Sequence, residues 1–156
     1  MKVLGIDPGS GIIGFGLVKK GSNLRMVDAG VIRTTIGDET ASRLLELYDA
    51  MKELISEFQP DVAAVEKLFF AQNVTTAMTV SQARGVILLA LAEAKIPIYE
   101  YSPLQIKMAM TGYGRATKAQ MQEMVRVQLK LKKKPSPDDA ADALAVAITH
   151  IATLHA

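Results

Sequence analysis

Four acidic side chains stand where solvation alone would not put them. Asp7 ends the apolar run VLGID and is followed at once by Pro8 and Gly9. Glu66 follows a second apolar run, VAAV. Asp139 and Asp142 lie three apart in DDAADALAVAI, one turn apart on one face of a helix, and Asp138 joins that face four before Asp142. Each has a structural reading when taken singly. Asp7-Pro8-Gly9 is a good turn, and Asp138 or Asp139 caps a helix and suits its dipole. A carboxylate leaving a buried strand, however, is costly unless paired. Carboxylates drawn together also raise one another's pKa unless a cation lies between them. Oxygen donors without histidine or cysteine favour Mg²⁺ or Mn²⁺. Such a set can hold two ions that activate a water and stabilise the leaving oxygen at a phosphodiester.

The charge pattern supplies a matching substrate class. The net charge of +2 conceals a basic segment from 107 to 134 with eight basic residues and one acid. It contains Lys107, Arg115, Lys118 and the run Lys132, Lys133, Lys134. A basic segment on an otherwise acidic body suggests a polyanion, although a solvated helix face and a charged loop would look the same. Phe69 and Phe70 are adjacent in an expected loop, so both cannot easily face one core. An exposed one would stack on an unpaired base.

The elements that must position these groups follow from periodicity. Residues 3–7, 14–19 and 24–33 read as strands of an antiparallel meander. Residues 40–58 have helical spacing, with Thr40 or Ser42 as cap and Pro60 as stop. A strand at 61–65 closes on Glu66, a helix covers 73–94, and another strand covers 96–101. Helices at 103–110, 118–131 and 138–154 follow, the first two separated by a flexible loop at 112–115. This order predicts an α/β fold: a mixed five-stranded sheet, three strands antiparallel and then two parallel, flanked by helices. Sites gather at the carboxyl ends of strands in open α/β sheets, where Asp7 and Glu66 both fall. The 73–94 helix is apolar on too broad a stripe for one sheet face. A helix from a partner chain, or a neighbouring helix of the same chain, would cover the surplus.

Composition narrows the classes. A chain of 156 residues with 49% hydrophobic content suits one domain over 1–156. The longest apolar run, near 86–92, is far short of the roughly 20 residues of a membrane span. No signal peptide is evident. The absence of cysteine excludes disulfides and fits the cytoplasm. Both histidines fall at the end of the chain, which argues against a histidine zinc site. GSGIIG matches a dinucleotide fingerprint but leads into strand alternation instead of a helix, and GYGRATK lacks the Gly-Lys-Ser/Thr of a phosphate loop. The strand-Asp-x-Gly opening also occurs in actin-like kinases, which need a second large domain.

The motifs GIDPGS with GFG, RLLELY, FQPD, EKLFFAQN, QARGVILLA, YSPLQIK, ATKAQMQEMV and DDAADALAVAITH, in this order, span nearly the whole chain. Together they closely resemble the RuvC family of bacterial Holliday-junction endonucleases, within the ribonuclease-H-like superfamily. The resemblance places four catalytic, metal-binding acids on Asp7, Glu66, Asp139 and Asp142, the last pair from the DAAD pattern. It places functional lysines on Lys107 and Lys118, and a junction-contacting aromatic on Phe69. It implies a Mg²⁺-dependent homodimer, with Mn²⁺ as a substitute, that nicks two like-polarity strands of a four-way DNA junction symmetrically. It also implies a preference for a short T-rich site and work beside the RuvA–RuvB branch-migration motor in recombination and repair. Asp138 is an extra acid whose role the pattern leaves open. Two other readings remain: a junction-binding protein without cleavage, against which the four acids speak, and a related nuclease of RNA ends, against which Lys107, Lys118 and DAADALA speak.

Overall fold

The structure is a computed structural model that describes residues 1–67 and 74–155. Strands β1 (Lys2–Asp7), β2 (Ile12–Lys20) and β3 (Leu24–Arg33) form the meander, followed by helix α1 (Thr40–Phe58). Strand β4 (Val62–Glu66), helix α2 (Val74–Glu93) and strand β5 (Ile98–Tyr101) come next. Helices α3 (Pro103–Thr111), α4 (Lys118–Gln128) and α5 (Asp138–Thr153) complete the chain. The sheet runs β3-β2-β1-β4-β5. β1, β2 and β3 are antiparallel, whereas β4 lies parallel to both β1 and β5. This is the mixed five-stranded sheet that the element order predicts, and it agrees with the ribonuclease-H-like fold that the resemblance implies.

Period-two alternation sorts the strand residues onto two cores. Leu4, Ile6, Ile13, Leu17, Ala63 and Val65 face α1 and α2. Val3, Val18, Val62 and Ala64 face α3, α4 and α5. Asp7 and Glu66 continue the second parity, so both emerge on the α5 side. That face is unusually bare. Gly5 pairs with Gly16 and Asp7 with Gly14 across β1 and β2. A Cβ on Gly5 would lie 2.0 Å from the Ala143 carbonyl oxygen, and one on Gly14 would lie 2.0 Å from that of Asp139. The helix offers Ala140, Ala143 and Ala147 in return, each fully buried. Backbone therefore packs on backbone, a close approach that only glycine permits. Farther along α5, His150 is buried, its Nδ1 2.7 Å from the Tyr101 hydroxyl and its ring 4.5 Å from that of Tyr99, which ties β5 to α5.

Several boundaries and caps differ from the sequence expectation for local reasons. β2 starts two residues early, at Ile12, because Ile12 already pairs with Arg33. β5 starts two residues late, because Lys95 takes a left-handed φ of 58° and the Ile96 N–H donates to Leu91. α4 ends at Gln128, short of 131. There Lys130 has a φ of 54°, and the Leu131 carbonyl is held by the Arg126 guanidinium at 3.2 Å. Neither Thr40 nor Ser42 caps α1; Glu39 holds that position without a side-chain bond. α5 likewise follows Pro137, so neither Asp138 nor Asp139 is its cap.

The α2 stripe is narrower than its composition suggests. Ala77, Ala83, Ile87, Ala90 and Leu91 are buried, whereas Met78 and Leu89 are 60% and 57% exposed. Among the described residues α2 is long and apolar enough, by length and mean hydropathy, to cross a membrane. A count of uninterrupted apolar residues misses this. In the fold it packs against α1 and carries Arg84, paired with Glu100 at 2.8 Å.

Gly5→Ala tests the close approach. Overpacking costs about 1–3 kcal/mol, and because the clash is with backbone, the urea midpoint should fall by the equivalent of about 3 kcal/mol. A midpoint equal to the parent's would show that α5 does not need the gap.

Candidate active site

Three pieces of local chemistry bring the acids and lysines to one end of the sheet. β1 and β4 are parallel neighbours, with Ile6 beside Val65, so their terminal acids emerge side by side. α5 delivers Asp139 and Asp142 from above through the glycine gap. α3 and α4 each begin with a capping box: Ser102 with Gln105, and Thr117 with Gln120. In each, the hydroxyl accepts from the third residue's N–H and the glutamine carbonyl accepts from the cap N–H. Lys118 is thereby fixed at the first position of α4, and Lys107 in the second turn of α3. The turn behind Asp7 is clamped from α1, where Arg43 donates to the Ser10 carbonyl at 3.2 Å and to Thr34 Oγ1 at 3.1 Å.

Asp7, Asp139 and Asp142 each place a carboxylate oxygen within 4.8 Å of the others. Glu66 is hydrogen-bonded to Asp7. A cleft of about 330 Å³ is lined by Asp7, Glu66, Asp142, Lys107, Lys118 and Met121. Asp139 opens onto a neighbouring cleft with Ser10, Arg33 and Ile36. Lys118 Nζ sits 3.2 Å from Asp142 Oδ2.

The protonation state records the crowding. Burial, then the hydrogen bond and charge of Glu66, then Asp142 and Asp139, push the Asp7 carboxyl up to about 9. Burial also raises Glu66, although its bond with Asp7 opposes that, so the pair shares a proton. Asp142 is raised by burial against the pull of Lys118. For Lys118, burial favours the neutral amine, but the bond to Asp142 and the acids behind it outweigh this and raise its pKa. The four acids offer only hard oxygen donors, and Asp7, Glu66 and Asp142 tolerate the crowding by holding on to protons. A divalent cation is the natural replacement for those protons, and the donor set fits Mg²⁺ or Mn²⁺.

Asp138 is exposed and outside this group, and the Arg115, Lys132, Lys133 and Lys134 side chains are exposed on loops. Arg126 is committed to Glu123 at 2.6 Å. Phe69 and Phe70 lie outside the described residues. Sequence reasoning missed Gly5, Gly14, Gly16 and Arg43 as positioning residues. The glycines were visible as three positions of strand parity shared with Asp7. The two capping boxes were visible as Ser/Thr-x-x-Gln.

A family model described as crossover junction endodeoxyribonuclease RuvC matches residues 3–150. The chain belongs to the RuvC family. A RuvC from Chloroflexus aggregans is 56% identical over 154 residues, covering 98% of this chain and 94% of the relative. The solved Thermus thermophilus RuvC superposes with a TM-score of 0.91 at 37% identity, covering 99% of this chain and 96% of that one. The same protein in complex with a Holliday junction substrate gives a TM-score of 0.90 at 34% identity, with the same coverage. RuvC-type nucleases are metal-dependent enzymes, and the acid cluster of this chain agrees with that chemistry.

The raised carboxyls give a pH signature. A folded-state pKa of about 9 against an ordinary 3.8 means that Asp7 costs the metal-free fold nothing at low pH. It costs progressively more stability as pH rises toward and through about 9. Urea midpoints of chelated protein should therefore fall between about pH 6 and about pH 9. Asp7→Asn should flatten that fall, and Mg²⁺ should restore most at the higher pH. A midpoint indifferent to pH in both proteins would contradict the buried carboxyl pair.

Proposed function

We propose that residues 1–156 form a single ribonuclease-H-like nuclease domain that hydrolyses DNA strands at four-way junctions. The observation that carries this is the convergence of Asp7, Asp139 and Asp142 oxygens within 4.8 Å, at a cleft that Asp7, Asp142 and Glu66 line together with Lys107 and Lys118. The Thermus RuvC bound to a Holliday junction supports the substrate. Divalent ions held by the four acids, Mg²⁺ or Mn²⁺ in its place, would supply an activated water and charge neutralisation at the leaving oxygen.

The chain's own residues do the rest. Asp7 and Glu66, fixed by strand parity, orient the donor oxygens. Asp142 holds Lys118 over the cleft, and with a raised pKa that ammonium stays charged. It is a poor proton donor at neutral pH and a good stabiliser of charge developing on the phosphate. Lys107 lines the same cleft and acts alike. Arg115 and the Lys132–Lys134 run attract the phosphate backbone from exposed loops, and Phe69 with Phe70 would contact junction bases.

The exposed Val74, Met78 and Leu89 on α2, with nothing within 4 Å of the Gly85 Cβ direction, suit a second copy of the chain. A homodimer places two clefts on one junction and makes the two nicks symmetric. Partnership with RuvA–RuvB, and work in the cytoplasm, rest on the family resemblance and the cysteine-free sequence.

Cleavage of a mobile four-way junction, mapped to the nucleotide with and without Mg²⁺, tests the reading. Asp7→Asn should lose more than the roughly 10–100-fold that outer-shell partners of a metal cost, while junction binding persists. Near-parental cleavage would refute the assignment. Asp139→Ala and Asp142→Ala should behave like Asp7→Asn. Asp138→Ala should stay active and lose only the dipole contribution of about 0.3–1 kcal/mol; the reverse pattern would move the register by one residue. Neutralising Lys132, Lys133 and Lys134 together should flatten the salt dependence of binding. Single-turnover cleavage at saturating enzyme should barely change. Loss of the chemical step with an intact salt slope would assign these lysines to the cleft.

A further inference from the structure

The loop between α3 and α4 carries an aromatic that the acid cleft does not use. Tyr113 is 56% exposed, and it stands between Gly112, which ends α3 at a φ of 72°, and Gly114. The loop is nevertheless well held. Thr111 Oγ1 accepts from the Tyr113 N–H at 3.1 Å and lies 2.8 Å from the Lys107 carbonyl, to which it donates. On the other side the Ala116 N–H donates to the Tyr113 carbonyl at 3.2 Å. Lys107 and Ala116 both line the acid cleft, so Tyr113 is fixed to its rim through hydrogen bonds to one wall and through Thr111 to the other.

Beside the next residue, Gly114, lies more apolar surface. A Cβ on Gly114 would sit 2.8 Å from Leu104 Cδ1 and 3.7 Å from Met108 Sδ, so the loop rests on these side chains. Leu104 is 60% and Met108 49% exposed. Leu104 and Met108, beside Gly114, and the exposed Tyr113 one residue before it thus make up the apolar shelf that this loop and α3 present. Its charged neighbours in sequence are all cations: Lys107, Arg115 and Lys118, with no acid between 101 and 122. A shelf for a protein partner would not need a cationic frame continuous with a phosphodiester site. A nucleobase supplies both halves of the match, an apolar face and a phosphate on either side.

We propose that Tyr113, backed by Leu104 and Met108, is a stacking platform for an unpaired base next to the scissile phosphate. This rests on the junction-nuclease reading above and adds a residue that selects strand segments already unpaired. Base–aromatic stacking contributes enough to change affinity roughly 5- to 100-fold, and it does so without neutralising a phosphate.

The test uses the full chain and a four-way junction with 2-aminopurine beside the mapped nick. Affinity is measured across a salt series without divalent ions, and cleavage in Mg²⁺. Tyr113→Ala should weaken binding roughly 5- to 100-fold, with an unchanged salt slope and brighter 2-aminopurine. Tyr113→Phe should keep parental affinity and quenching. Arg115→Ala should instead lower the salt slope by about one. If the parent cuts the junction and Tyr113→Ala binds it equally well with equal quenching, the platform is refuted. It is also refuted if Tyr113→Ala lowers the salt slope, or if Tyr113→Phe fails as Tyr113→Ala does. A parent that neither binds nor cuts the junction would overturn the reading of the site itself.

Discussion

How near α5 can come to the sheet decides whether a site exists at all. Two acids are fixed to strand ends and two to a helix, and only the distance between helix and sheet brings them together. Gly5, Gly14 and Gly16 clear the sheet side, and alanines clear the helix side. Burying glycine and alanine removes less apolar area from water than valine or leucine would. The fold recovers that area beyond the gap, where Leu144, Val146, Ile148 and Ile151 are buried among Val3, Val18 and Val62. One end of α5 is thus built for proximity and the remainder for adhesion.

Proximity has an electrostatic consequence. Four carboxyls meet a single ion-paired ammonium, and Lys118 is 58% exposed, so solvent weakens its compensation. Asp7, Glu66 and Asp142 ease the crowding by retaining protons, Asp7 most of all. Strain of this kind is common where binding geometry is built in before the ligand arrives. Two complete capping boxes, a doubly bonded Arg43 and a buried Tyr101–His150 bond hold the frame around the cluster.

The strand pattern made the sheet order and the side-by-side placement of Asp7 and Glu66 legible in the sequence, because strand parity is a local property. The three spacings of DDAAD left Asp138 and Asp139 as rivals. The family's DAAD pattern favours Asp139, and the position of the helix over Gly14 gives the physical reason, bringing Asp139 to the cluster and leaving Asp138 exposed. GSGIIGFG reads as a failed nucleotide motif because the purpose of Gly14 and Gly16 depends on α5, more than a hundred residues away in sequence. The caps of α1 and α5 were misjudged for a different reason: a Ser, Thr or Asp near a helix start signals a cap only if the turn lets it reach back. The end of α4 followed from a left-handed Lys130 that no propensity would favour. For α2, composition indicated excess apolar surface but not which side chains would carry it.

The gap between α5 and the sheet also sets an order of events during synthesis. Every strand and the first four helices are translated before Asp139 and Asp142. Until then Asp7 and Glu66 face an uncovered row of glycines, and no third or fourth donor is available. A partly made chain therefore holds half a metal site on half a core. The step that buries Gly5 and Gly14 is the same step that assembles the acids, so completion of the fold and acquisition of its hazardous chemistry coincide.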